Sequence, residues 1–252
     1  MKKVILGAAA LMIGAIGFTQ NTGSVTQTGD SNDGIVDQTG SYNLANAYQN
    51  GDANEVIVLQ DGTSNTTNVT QTGNRNNDGY WKTVGANVEQ IGNGNNASFT
   101  QIGDDNEEKI SQNGSWNTAI LEQSGNNGFG YTTQGGNVAA YNYTKVVSTG
   151  DNNRHFTVQS WGDSNIINTV QLGNTNESFT GQYVGDNNDA LTYQAGDGNT
   201  ASLMQQHGNS NNGDIFQIGD DNNAIMFQTG GYNVGLISQT GGMNEALVQQ
   251  NP

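Results

Sequence analysis

Glutamine returns every eleven residues along most of this chain, and that spacing leaves little freedom in how the chain can fold. Towards residue 250 the sequence reads QIGDDNNAIMF, QTGGYNVGLIS and QTGGMNEALVQ, which sets Gln217, Gln228, Gln239 and Gln250 in phase. The first three are followed two places on by Gly219, Gly230 and Gly241, and five places on by Asn222, Asn233 and Asn244. From each asparagine to the next glutamine the chain alternates, as in Asn222-x-Ala224-x-Met226-x-Gln228. Residues two apart share a face of a strand, so asparagine, a small residue, an apolar residue and glutamine project together. What is left over is long enough only for a tight turn, in which glycine supplies the positive φ. One unit is a strand and a turn, and two units make one coil.

The same unit starts at Gln27, Gln38, Gln49, Gln60 and Gln71, with Gly29 and Gly40 and with Asn32, Asn43, Asn54 and Asn65 in their places. It resumes at Gln90, Gln101, Gln112, Gln123 and Gln134, with Gly92, Asn95, Asn106 and Asn117, and continues at Gln159, Gln171, Gln182, Gln194 and Gln206. Two stretches are irregular, near 77–89 and 141–158. In the first, Gln90 arrives nineteen places after Gln71 instead of two full units, which predicts a shortened coil or a loop. In the second, Ser148 stands where a glutamine is due. The pattern predicts an all-β solenoid over residues 21–252, with about ten coils of roughly 22 residues forming two parallel, in-register sheets.

Composition alone would argue for disorder. Only 33% of the 252 residues are hydrophobic, there are 36 glycines and one proline, and the mean hydropathy is -0.62. Periodicity overrules that reading, because disorder does not hold glutamine in register with alternating apolar positions. Four small aliphatic side chains per coil cannot offset the entropy of ordering a whole coil. Stability has to come from stacking, with each strand paired above and below and each buried amide satisfied by the same amide one coil away.

The net charge of -16, with seven Lys and Arg, lacks the basic stripe that nucleic acid requires. The chain has no cysteine and hence no disulfide framework. Met1-Lys2-Lys3 and the apolar run Val4 to Ile16 read as a secretory signal peptide over residues 1–20, leaving no membrane span after processing.

Other chemistries find little support. Asp104 with Asp105, or Glu107 with Glu108, offers paired carboxylates for an enzyme on a β-helix, but acids in so many turns pair by chance. His155 and His207 read as solvated residues in or beside irregular turns. Thr26 and Thr28, and Thr70 and Thr72, are isolated pairs and not the repeated threonine face of an ice-binding solenoid. The period of eleven also departs from the nonapeptide calcium solenoids. No cofactor, metal or catalytic residue is expected. Tyr42, Trp116, Trp161 and Tyr232 are expected as exposed turn residues that could touch polysaccharide or neighbouring fibres. The acids Asp30, Asp52, Asp104, Asp105, Asp163, Asp186, Asp197, Asp220 and Asp221 read as turn formers, with a sharper role as gatekeepers against premature assembly.

QTGSYNLANAYQ at 38–49, QIGNGNNASFTQ at 90–101 and QNGSWNTAILEQ at 112–123 carry the pattern Q-x-G-x-x-N-x-A-x-x-x-Q. In this the chain resembles the curlin repeat of the curli functional amyloids. The resemblance implies a secreted subunit that stays unfolded through export and then adds to an extracellular fibre of the biofilm matrix, mediating adhesion. It also implies a nucleating subunit and dedicated outer-membrane export factors as partners, alongside other copies of the same chain. The alternative is a monomeric secreted β-solenoid adhesin or ice-binding-type protein. No capping segment is visible in the sequence, so the strand ending at Gln250 and the coil near Gln27 are the expected docking edges. Pro252, which cannot donate to a ladder, would blunt the first of them slightly.

Overall fold

The computed structural model describes residues 20–77 and 87–251. The leader expected over 1–20 lies outside these residues apart from Gln20. So do residues 78–86 of the first irregular stretch.

Twenty strands make up the described chain. They are β1 (Thr22–Thr28), β2 (Asp33–Ser41), β3 (Leu44–Asn50), β4 (Glu55–Thr63), β5 (Thr66–Thr72), β6 (Val88–Asn93), β7 (Asn96–Ile102), β8 (Glu107–Ser115), β9 (Thr118–Ser124) and β10 (Phe129–Ala140). The second half comprises β11 (Tyr143–Thr149), β12 (Arg154–Ser160), β13 (Ile166–Leu172), β14 (Glu177–Tyr183), β15 (Asp189–Ala195), β16 (Thr200–Gln206), β17 (Asn212–Ile218), β18 (Asn223–Thr229), β19 (Val234–Thr240) and β20 (Glu245–Gln250). Odd strands form one parallel ten-stranded sheet and even strands the other, each in sequence order. The result is an all-β solenoid of two facing sheets, one odd and one even strand to each coil.

Register follows the glutamines. Gln49 pairs with Gln71 and Gln71 with Gln101 in the odd sheet, and Gln38 pairs with Gln60 and Gln60 with Gln90 in the even one. Alternate side chains enter a narrow core containing Val56, Val58, Phe99, Ile110, Leu121, Leu203, Ile215 and Met226, none more than 1% exposed. The inward positions therefore carry both the aliphatic residues and the amides.

The two irregular stretches differ from expectation in instructive ways. The first coil is lengthened and not shortened: Gln60 and Gln90, adjacent in the ladder, are thirty residues apart, whereas Gln38 and Gln60 are twenty-two apart. An insertion between β5 and β6 absorbs the difference, since Gln71 and Gln90 begin consecutive units in opposite sheets. Turns tolerate such insertions because the strands on either side keep their phase. The second irregularity lies earlier than 141–158. Register shifts between Gly135 and Ala140 against β8, while β11 and β12 pair in register with their neighbours. Gln205, and not Gln206, faces inward, because Gln182 pairs with Gln205.

The turns owe their shape to stacking. A Cβ on Gly62, whose φ is +129°, would overlap the carbonyl oxygen of Gly92 in the next coil. The residue before each asparagine adopts a left-handed backbone even when bulky, as at Tyr42 (φ 57°) and Trp116 (φ 59°). Trp116 holds that conformation while its N–H donates to the Asn93 carbonyl of the preceding coil at 2.9 Å. Inter-coil hydrogen bonds thus offset a local strain that an isolated turn would relieve.

Candidate assembly interface

The amide columns define what this molecule can do. In the even sheet one ladder is unbroken: Gln38, Gln60, Gln90, Gln112, Gln134, Gln159, Gln182, Gln205 and Gln228 each donate through Nε2 to Oε1 of the next, at 2.7–3.0 Å, ending on Gln250. In the odd sheet Gln27 donates to Gln49, Gln49 to Gln71 and Gln71 to Gln101, at 2.8–3.0 Å. After an interruption, Gln171 donates to Gln194, Gln194 to Gln217 and Gln217 to Gln239, at 3.0–3.1 Å.

Most ladder glutamines also use their second N–H. Gln60 donates to the Leu44 carbonyl at 3.1 Å and Gln228 to the Asn212 carbonyl at 2.8 Å, both on the facing sheet. Two donors and one acceptor are thereby satisfied on a group that is almost wholly buried. This is the condition under which an interior amide stabilises a fold. The same bond ties the two sheets together.

Asparagine closes the turns. Asn32, Asn43, Asn54, Asn65, Asn95, Asn106 and Asn222 each donate through Nδ2 to a glycine carbonyl of the following coil at 2.7–3.0 Å. Their Oδ1 atoms accept the backbone N–H of the residue at the same turn position one coil on, as from Asn54 to Asn32 at 2.9 Å and from Asn244 to Asn222 at 3.1 Å, with Gly128 in that place for Asn106. Asn117 follows with its N–H on Asn95 Oδ1 and supplies its own Oδ1 to Asn142. Gly29, Gly40, Gly92 and Gly219 lie beneath the carbonyl of the corresponding glycine in the next coil, and Gly241 ends that column with open space beyond it. Gly230 holds a positive φ of 86° at the same turn position.

The acids do more than shape their own turns. Along one corner Asp52, Asp104, Asp151, Asp197 and Asp220 each accept, through Oδ1, the backbone N–H of the residue one coil earlier, at 2.7–2.9 Å. Asn74, Asn126 and Asn174 take the same role between them. Interspersing neutral amides with carboxylates keeps the column from stacking like charge at every step. Asp163 and Asp186 act alike on the opposite corner, for Ala140 and Asp163 respectively. Arg75 donates twice to Asp105, at 2.7 and 2.6 Å, and that hydrogen-bonded guanidinium holds the Asp105 carboxyl below its ordinary value. Partial burial raises Asp189 and Asp214, with the charge of Asp189 adding to the rise at Asp214.

Two residues were misread from sequence. His155 is no turn residue: it lies in β12 and is 1% exposed, facing inward opposite the rungs of β10 and β14. Glu108 also faces inward, at 0% exposure, whereas Glu107 is turned to the outer face. Their inward placement was legible in the alternation Asn153-x-His155-x-Thr157-x-Gln159, which gives His155 the small-residue position. His207 does sit in a turn, with φ 53°. Tyr42, Trp116, Trp161 and Tyr232 are all exposed. Among the described residues no three His, Asp or Glu side chains converge as metal ligands, and no helix is long and apolar enough to cross a membrane.

A parallel solenoid whose facing sheets are joined by in-register glutamine and asparagine columns has the organisation of a cross-β repeat protein. The model of the curlin associated repeat matches residues 19–46, 43–73, 85–112 and 219–251, and the chain belongs to the curlin-repeat family. No curated protein matches it.

Proposed function

We propose that this chain is a structural, non-enzymatic subunit that is secreted and polymerises end to end into an extracellular curli-like amyloid fibre. Complementarity between the two ends of the described array carries this reading. Every glutamine bonded within the two ladders points its donor towards the higher-numbered coil. Gln239 and Gln250 therefore present Nε2 groups at one end, and Gln27 and Gln38 present Oε1 acceptors at the other. A second copy placed head to tail would set its β1 on β19 and its β2 on β20, continuing both ladders. Such a contact is heterologous and does not close, so it builds a filament.

Adhesion and a place in the biofilm matrix follow as the use of such a fibre. A nucleating subunit and outer-membrane export factors are the partners the family likeness implies. The expected signal peptide over 1–20 fits export. The test is seeded growth of protein beginning at residue 21. Fibres with a meridional reflection near about 4.8 Å are expected, and growth should slow markedly for Q239A/Q250A. A soluble monomer that neither seeds nor elongates would overturn the reading and leave a monomeric adhesin.

A further inference from the structure

The core is not continuous. One apolar cluster runs from Ala45 to Val146, and a second from Ile167 to Ile237. Between and beside them the apolar position of the repeat is filled by Thr132, Thr157, Thr169, Thr180 and Thr192, all buried. The odd-sheet ladder fails from Gln101, whose Nε2 turns to Asn77 Oδ1 at 3.3 Å, to Gln171. Ser148 stands between Gln123 and Gln171 in register, too short to receive from one or give to the other. Ser148 Oγ and Gln171 Oε1 are left without hydrogen-bond partners, as are Thr169 Oγ1 and Ser178 Oγ.

One contact between a buried carboxyl and a buried imidazole lies in this region. His155 Nε2 lies 3.3 Å from Glu108 Oε2, both side chains 1% exposed, though off the line of a hydrogen bond. The two residues are two coils apart, and they meet because Gly130 stands between them. A Cβ at Gly130 would overlap both the carboxylate and the imidazole. Gln123, deprived of a ladder partner at Ser148, turns instead to Glu108. Oriented to satisfy both groups, it donates to Glu108 Oε1 at 3.3 Å and accepts from the Phe129 N–H at 3.2 Å. Four departures from the repeat, Glu108, Gly130, Ser148 and His155, thus cluster in three successive coils of the stack.

We infer that the solenoid consists of two cooperatively folding blocks that meet at a polar seam spanning β10 to β14, with Glu108–His155 as the clasp that ties β8 of the first block to β12 within the seam. Nearest-neighbour coupling governs the stability of stacked repeats, so coils joined by orphaned hydroxyls and a broken ladder are coupled more weakly than coils joined by aliphatic side chains and complete amides. The seam is where the array opens first, and it divides the molecule into a unit built on β1–β9 and another built on β15–β20. This holds for a monomer or a fibre and does not depend on the proposed export or adhesion.

Hydrogen exchange followed by mass spectrometry on the full chain from residue 21 tests the division. Slow exchange is expected in both blocks, with a minimum of protection, at least tenfold faster, in peptides covering 129–183. A repaired variant, E108A/S148Q/H155A, restores the repeat at three positions and should remove that minimum, merging two protection classes into one. Protection that is uniform or falls smoothly from the centre to the ends in the unaltered chain overturns the seam. So does a minimum that survives in a folded repaired variant. If the repaired variant does not fold, the unaltered chain alone decides.

Discussion

Gly62 and Gly92 occupy successive turns thirty residues apart in sequence, yet Gly92 sets its carbonyl oxygen where a methyl group on Gly62 would have to go. The turn glycines are thus required twice, by a positive φ and by the approach of the next coil. Gly62→Ala should lower stability by about 1–3 kcal/mol, measured as a drop in denaturant midpoint. An equivalent change at Gly241, which has open space beyond it, should meet only the φ cost in the monomer and should impair elongation of fibres.

Gln134 accepts from Gln112 and donates to Gln159 and to the Thr118 carbonyl, so its removal orphans groups on three strands. Gln134→Ala is expected to cost about 1–3 kcal/mol or more. Thermal or chemical melts of the two variants should rank it well above Gln250→Ala, which loses one bond from Gln228 and one to the Val234 carbonyl, the latter exposed.

Breaking the Glu108–His155 pair from one side leaves a buried polar or charged group with no counterpart. Glu108→Ala or His155→Ala should each destabilise by about 3–5 kcal/mol, whereas the double change to the repeat's usual alanine should be close to neutral. A double-mutant cycle on denaturant midpoints measures the coupling, and additive single effects would contradict the clasp.

Asp189 and Asp214 have carboxyls raised above their ordinary 3.8 by burial, so the folded state binds protons that the unfolded chain has released. Their contribution to stability is full at low pH and is lost as pH rises through the raised values. D189N/D214N should therefore flatten the fall in stability from about pH 4 upward. Asp105, held low by Arg75, acts in the opposite sense and only on the acid side, its contribution being lost as pH falls below 3.8. Arg75→Gln should remove that acid-side dependence.

Much of the molecule was written in its period. Spacing of eleven with alternation between Asn and Gln set strand length, turn position, parallel register and the inward direction of Gln38, Gln60 and Gln228, because a coil of two equal units can stack on itself in only one phase. Where the period slipped, the sequence was ambiguous. Nineteen residues from Gln71 to Gln90 fit either a coil that loses three residues or a half-coil that gains eight, and only pairing with Gln60 distinguishes them. Gln205 and Gln206 were likewise equivalent until the strand took its place beside β14.

Tertiary structure alone decided what the exceptions mean. Ser148, Glu108, Gly130 and His155 are scattered over nearly fifty positions and look like unrelated lapses in a repeat. Stacking brings them into neighbouring coils, since each residue's neighbours in a solenoid lie a full coil away along the chain and not beside it. Local periodicity therefore determines the repeating geometry. Which departures from it touch one another, and so where the array is weakest, depends on how many residues each coil contains.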